Sequence, residues 1–270
     1  LDQPLPPLDM RLGTPRGTNA LLDRAGGPIA LFITEGFADQ LAIGDQTRPD
    51  LFAQEIIRPE PLPARIIEVR ERIDATGNTI EPLDPASALE AARACLKAGI
   101  QHAARAFIHG WRNPEHEERF AAMLREVGFA HVSTSSLLSR TIKFLPRLSA
   151  ACINAYLAPV FERYLAGVSD ATRAGRLHLM TSAGGLVRAD HFQPRDSLLS
   201  GPAGGVRGVA TVATREDMAR VIGFDMGGTS TDVCRYDGAM EYRYETVVGE
   251  ARLTAPSVAI ETVAAGGGSI

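Results

Sequence analysis

Apolar and polar positions along the first 140 residues follow two periods, one suited to strands and one to helices. Residues 29–34 (Ile-Ala-Leu-Phe-Ile-Thr) are a continuous apolar run bounded by Gly26-Gly27-Pro28 and Gly36, which predicts a buried strand. Residues 66–73 and 78–82 flank Thr76-Gly77-Asn78 and predict a hairpin. A helix follows, capped by Asp84 and begun by Pro85, with Leu89, Ala92, Cys95 and Leu96 on one face and Gly99 as its stop. Residues 103–109 predict the next strand. Asn113 and Pro114 then open a second helix, with Glu115 and Glu117 at the positive end of its dipole. Its inner face is Phe120, Met123, Leu124 and Val127, and Gly128 ends it before a strand at 130–134. This β-α-β-α-β run implies an α/β layer with parallel pairing. Residues 149–166 predict another helix. From residue 177 the rhythm becomes strand, glycine loop, helix, strand, glycine loop, strand.

Composition narrows the class. At roughly 150 residues per domain, 270 residues make one large domain or two small ones. The net charge of −4 gives no basic footprint for nucleic acid or an anionic membrane. No uninterrupted apolar run approaches the ~20 residues of a membrane span. Cys95, Cys152 and Cys234 form no CxxC pair, which argues against a disulfide framework or cysteine zinc site and leads us to expect a reducing cytoplasm. The six histidines contain no HxH or HExxH, and no nucleophile elbow is present; zinc-hydrolase and serine-hydrolase chemistry are disfavoured. His109, beside Gly110-Trp111, either reaches a cleft or packs structurally. The start at Leu1 and the end at Gly266-Gly267-Gly268-Ser269-Ile270 suggest a piece of a longer protein.

The candidate chemistry lies in the glycine clusters. Val221-Ile222-Gly223-Phe224 predicts a buried strand delivering Asp225. Gly227 and Gly228 then permit positive φ and leave no Cβ in the path of an anion. Thr229, Ser230 and Thr231 add three hydroxyls, and Asp232-Val233-Cys234-Arg235-Tyr236 returns as the partner strand. Such a hairpin offers donors to phosphate oxygens and a carboxylate for magnesium, although a tight structural turn uses the same residues. It is not a Walker loop, because no lysine follows the glycines. Gly201, Gly204 and Gly205 precede a predicted helix running to about Thr214, whose first N–H groups either face a phosphate or permit close packing. Thr14, Thr18 and Asn19 form a polar cluster before a short helix beginning at Ala20; they either line a cleft or cap that helix. Arg48 and Arg140 are weaker candidates for a substrate carboxylate.

Leu198 to Val206, Val221 to Val233 and Thr262 to Ile270, with Leu12-Gly13-Thr14, Gly17 to Leu22 and Arg48 to Phe52, together resemble the hydantoinase A/5-oxoprolinase family. The likeness is greatest to its bacterial 5-oxoprolinase branch, from the contexts of Gly44-Asp45-Gln46 and Arg235-Tyr236-Asp237-Gly238. The resemblance implies an α/β fold of the actin-like, sugar-kinase-like (ribonuclease H-like) ATPase class, incomplete in this chain, with ATP between two α/β domains. Residues 1–138 would be the remainder of the N-terminal domain and 139–270 the start of the ATPase domain. Asp225 would position Mg2+ and the phosphates, with Gly227, Gly228, Thr229, Ser230 and Thr231 as donors. Asp232 would orient the hairpin or a water, and Gly266, Gly267 and Gly268 would join Gly201, Gly204 and Gly205 around the phosphates. Thr14, Thr18 and Asn19 would line the substrate pocket.

The activity implied is ATP-dependent opening of 5-oxo-L-proline or a hydantoin through phosphorylation of the amide oxygen. A hydantoinase B-type chain or fused domain would be the partner, in an oligomer. Pro15 and Ala183 depart from the family pattern at positions that often carry Thr and Asn or Ser. Two alternatives remain: a subunit of an ATP-dependent acetone-type ketone carboxylase, and a non-catalytic nucleotide-binding or assembly module.

Overall fold

The structure, a computed structural model, describes residues 8–46, 52, 54–55, 60–172, 175–228 and 230–268. Two compact units interleave along the chain: one comprises 1–23, 161–248 and 255–270, the other 24–160 and 249–254. Strand β1 (Asp9–Leu12) and helix α1 (Arg16–Leu22) open the chain, yet belong to the unit built mainly from its second half. The spatial division is therefore not a serial one.

The 24–160 unit is organised around β2 (Ile29–Thr34), whose six residues are all buried. It contains α2 (Gln40–Ile43), β3 (Arg65–Ile73), β4 (Thr79–Asp84), α3 (Ala86–Lys97), β5 (His102–Ala106), α4 (Glu115–Val127), β6 (His131–Thr134) and α5 (Ser135–Leu138). The strands form one five-stranded sheet in the order β4-β3-β2-β5-β6. β2 runs parallel to both β3 and β5, β5 runs parallel to β6, and β4 returns antiparallel as an edge. The expected α/β layer is present. Phe32 makes edge-on contacts with Phe120 at 5.3 Å and Phe129 at 5.9 Å, and Ala88, Ala92 and Cys95 of α3 complete the core. Each fully buried ring of this kind contributes about 1.5–3 kcal/mol.

Three boundaries differ from the sequence expectation. Pro85 and Pro114 stand just before α3 and α4 rather than inside them. The Asp84 and Asn113 side chains accept the N–H groups of Ala86 (3.2 Å) and Glu115 (3.0 Å), so capping is intact but shifted by one residue. The strand expected at 103–109 ends at Ala106. Beyond it the buried Glu117 carboxylate takes the Phe107 N–H at 2.8 Å and the Thr34 hydroxyl takes that of Ile108 at 2.9 Å. These long-range acceptors pull the chain out of the sheet into a turn, where His109 is half-buried with φ +59°.

Helix α6 (Phe144–Thr172) is longer than expected and carries Pro159 within it. Its stretch Phe144–Ser169 is long and apolar enough to cross a membrane by length and composition, with a mean hydropathy of 1.2, yet 67% of that window is buried inside the protein. Arg147 on this helix is fully buried beside Glu117, an arrangement that a core helix supports.

In the other unit, β7 (Arg176–Met180) pairs parallel with β1 and antiparallel with β8 (Leu186–Arg188). Helix α7 (Ser200–Arg215) leads into β9 (Arg220–Met226) and β10 (Thr231–Asp237). Short strands follow: β11 (Tyr242–Arg243), β12 (Thr246–Val248), β13 (Ala251–Leu253, in the 24–160 unit), β14 (Ser257–Val258) and β15 (Glu261–Val263). β15, β10 and β9 form an antiparallel three-stranded sheet in that order. β9 is not the buried strand expected: Ile222, Phe224 and Met226 are 72%, 65% and 55% exposed. Only the opposite face is covered, where Gly223 packs on Val209 of α7.

Candidate phosphate cleft

The motif around Asp225 forms the expected hairpin. The turn between β9 and β10 is closed by the Gly227 N–H on the Ser230 carbonyl at 2.9 Å. In the ladder Asp225 lies opposite Asp232, and Asp232 lies opposite Thr262 of β15. Directly opposed residues project from the same face, with Cβ atoms roughly 4.5–5.5 Å apart. One row thus carries a hydroxyl and two carboxylates across three strands. The Thr262 hydroxyl donates to Asp232 Oδ1 at 2.7 Å. The exposed Asp225 carboxylate has no hydrogen-bond partner among the described residues.

Helix α7 walls this row. It begins at Ser200, so Gly201, Gly204 and Gly205 lie inside its first turns rather than ahead of it. The Ala203 N–H already bonds the Leu199 carbonyl at 2.9 Å, which places the amides of Gly204 and Gly205 beyond the free donors of the helix end. The Leu199 N–H is taken by Ser182 Oγ at 3.1 Å, and Pro202 has none. That leaves the amides of Ser200 and Gly201. The contribution of Gly205 is space: a Cβ there would sit 4.0 Å from Asp225 Oδ2. A Cβ at Gly223 would lie 2.5 Å from Val209 Cγ2 and 2.6 Å from Cys234 Sγ, so close packing of helix on hairpin requires glycine. Between them is a cleft of ≈ 240 Å³ lined by Pro202, Gly205, Val206, Asp225, Asp232 and Ile260, among others.

The fourth glycine cluster straps the hairpin turn. The amides of Gly267 and Gly268 donate to the carbonyls of Gly227 (2.9 Å) and Gly228 (2.8 Å), and the buried Thr231 hydroxyl donates to the Ala265 carbonyl at 2.5 Å. The donors of Gly227, Thr231, Gly267 and Gly268, expected to face phosphate, are therefore taken by backbone carbonyls of the turn and of its strap. Gly228 and Ser230 retain donors without partners among the described residues, while Gly266 makes a contact of its own. Thr229 lies outside the described residues, as do Arg48, Pro49, Asp50, Leu51, Ser269 and Ile270.

The polar segment near the N-terminus also differs from expectation. α1 starts at Arg16, so Thr18 and Asn19 are within it and neither caps it; the Thr14 hydroxyl accepts the Arg16 N–H at 3.2 Å instead. The Thr18 hydroxyl donates to the Leu198 carbonyl, and Asn19 is exposed. Ser200, fully buried, accepts the Thr14 N–H at 3.1 Å and donates to the Thr14 carbonyl at 2.9 Å. A Cβ on Gly13 would meet the Ser200 carbonyl at 3.0 Å. Thr14 and Thr18 thus fasten their segment to the start of α7. Sequence reasoning singled out neither Ser200 nor Thr262, because their partners are distant in the chain. Arg140 is exposed in the 24–160 unit.

Residues 8–128 match the hydantoinase/oxoprolinase N-terminal region, and residues 147–270 match the hydantoinase/oxoprolinase domain. The chain belongs to the hydantoinase/oxoprolinase family. A protein named 5-oxoprolinase from Saccharomyces cerevisiae is 40% identical, over 97% of this chain and 23% of its own length. The solved structure of an ATP-dependent caprolactamase from Pseudomonas jessenii superposes with a TM-score of 0.81 at 27% identity, over 96% of this chain and 39% of that one. Nucleotide-free acetone carboxylase gives 0.79 at 22% identity, covering 95% of this chain and 39% of its own, a likeness of fold. The α/β, actin-like ATPase class implied by the motifs is the fold of this hydantoinase/oxoprolinase chain. The chain spans about 23% of the yeast relative.

Proposed function

We propose that the full-length protein hydrolyses ATP to open a cyclic amide, 5-oxo-L-proline or a hydantoin. A lactam carbonyl is a poor electrophile because the nitrogen lone pair is delocalised into it. Transfer of the γ-phosphoryl group to the amide oxygen yields an imidate phosphate, which water attacks at carbon. Collapse of the adduct breaks the C–N bond, the nitrogen leaving as the protonated amine, and leaves an acyl phosphate, which a second water hydrolyses to the carboxylate and inorganic phosphate. Such transfer depends on positioning and charge stabilisation more than on covalent help from the protein.

The observation that carries this reading is the pair Asp225 and Asp232, opposed in register within a cleft walled by glycine. Two like charges directly opposed are unfavourable alone, and a cation between phosphate and carboxylate removes the penalty. Mg2+ suits the donors: among the described residues no three His, Cys, Asp or Glu side chains converge, and this ion keeps water and phosphate oxygens in its shell. Asp225 would hold it, and the bound ion would neutralise charge on the phosphates. The free donors of Gly228, Ser230 and Gly201 face phosphate oxygens in this reading, and the glycines of α7 give the nucleotide access. Thr14, Thr18 and Asn19 are the substrate-pocket residues of this reading, and Thr14 and Thr18 also hold its wall through Ser200 and the Leu198 carbonyl. The family regions divide near residue 138, and a hydantoinase B-type chain or fused domain is the partner, in a cytoplasmic oligomer; support for these comes from family membership alone.

Measurement of ADP release by the full-length protein with its companion chain tests the proposal. Stimulation by 5-oxoproline or a hydantoin is expected. Stimulation only by acetone with bicarbonate moves the assignment to ketone carboxylation. No hydrolysis under any condition leaves a non-catalytic nucleotide-binding or assembly module.

A further inference from the structure

We infer that Thr262 is a positioning residue for the cleft, holding the Asp232 carboxylate so that the two acids of the row present one defined cation seat. The inference rests on the metal–nucleotide reading above. Thr262, Asp232 and Asp225 occupy one cross-strand row, so their side chains share a face and meet without any long reach. Asp232 Oδ1 is engaged by the Thr262 hydroxyl at 2.7 Å, from the strand on the side away from Asp225. Its second oxygen has no partner among the described residues, and neither has Asp225. A carboxylate tethered by one oxygen cannot rotate freely, so its other oxygen keeps a fixed relation to the acid opposite. Without the tether, repulsion between the opposed acids turns the Asp232 side chain away, and the seat must be rebuilt each time a cation binds. The strand bearing Thr262 continues into the amides of Gly267 and Gly268, which bond the turn carbonyls of Gly227 and Gly228. The tether and the strap therefore fix the row and the turn together.

The experiment is a titration of the full-length protein with Mn2+ in the presence of ADP, followed by electron paramagnetic resonance. Thr262→Val keeps the shape and removes the donor; Thr262→Ser keeps the donor. Loss of a hydrogen bond to a charged group should weaken Mn2+ binding about tenfold in Thr262→Val, with Thr262→Ser close to wild type. Mn2+ affinity unchanged in Thr262→Val, or equally weak in both variants, overturns the inference. If Thr262→Val does not fold, Thr262→Ala takes its place with the same criteria. A wild-type protein that binds no Mn2+ overturns the metal–nucleotide reading itself, and this inference with it. Tight wild-type binding that ignores Thr262 overturns the inference alone.

Discussion

Asp225 and Asp232 stand directly opposite one another on adjacent antiparallel strands, both lining one cleft. A stability-optimised hairpin avoids such a pair, since opposed like charges raise its energy and a neutral partner is readily found. In the proposed function this row, beside a glycine-walled space, is where the fold gives up stability for chemistry.

Replacing Asp225 by Asn tests that statement in two directions. ATP hydrolysis by the full-length protein should fall at least ~100-fold, the scale for loss of one preorganised charge-stabilising group. The melting temperature should hold or rise, because the carboxylate has no partner to lose and one repulsion disappears. Full turnover would remove Asp225 from the mechanism; a lower melting temperature would give it a structural role instead.

Ser200→Ala addresses the clasp between the start of α7 and the segment at Thr14. One buried hydroxyl satisfies both the N–H and the carbonyl of Thr14, across 186 residues. Its removal leaves two buried backbone groups unpaired, at a cost of about 1–3 kcal/mol. Urea unfolding should show an earlier midpoint, and an unchanged midpoint would mean that water replaces the hydroxyl.

Glu117 is fully buried and accepts from the Phe107 N–H (2.8 Å), the Ser135 hydroxyl (2.6 Å) and the Ser136 N–H (2.9 Å), with Arg147 Nη1 at 3.7 Å. Burial also lowers the pKa of Arg147, opposed by the Glu117 charge. Glu117→Gln should lose about 3–5 kcal/mol by leaving a buried cation uncompensated. The double variant with Arg147→Met should recover part of that loss in a denaturation cycle. Strict additivity would show that the two charges are not coupled.

Asp74 governs an acid-limb prediction. The Thr76 hydroxyl, with the backbone and side chain of Asn78, holds its pKa down to about 2 from the ordinary 3.8. A depressed carboxylate contributes stability that is present above its unfolded value and is lost as pH falls through its folded one. The hairpin turn between β3 and β4 should therefore weaken between pH 4 and 2, as those two values require. Asp74→Ala should have a flatter melting-temperature profile over that interval, and a parallel profile would show that the interaction persists on protonation.

Where local interactions decide, the sequence was legible. α3 and α4 were bounded by Asp84, Asn113, Gly99 and Gly128 because a helix end must satisfy its own backbone groups with neighbouring residues. β2 and the turn at Gly227 were visible for a related reason: an unbroken apolar run favours a buried strand and paired glycines mark a turn, although neither Gly227 nor Gly228 takes the positive φ that glycine permits. Local pattern placed Glu117 only at a helix start, suited to the dipole, and gave no sign that it is the buried acceptor that ends β5.

The amino-acid sequence by itself determined the class of fold, the hairpin that carries Asp225 and the family motifs. Only the tertiary structure decided which of the expected phosphate donors remain free. Thr231, Gly267 and Gly268 are taken by backbone partners brought together by strand pairing, while Gly204 and Gly205 enter the helix and Gly205 supplies space beside Asp225 instead of an amide. The same pairing set Thr262 beside Asp232 and Ser200 beside Thr14. A hydrogen-bond donor can be counted from its residue type, but its availability depends on what packs against it, and that is a property of distant parts of the chain.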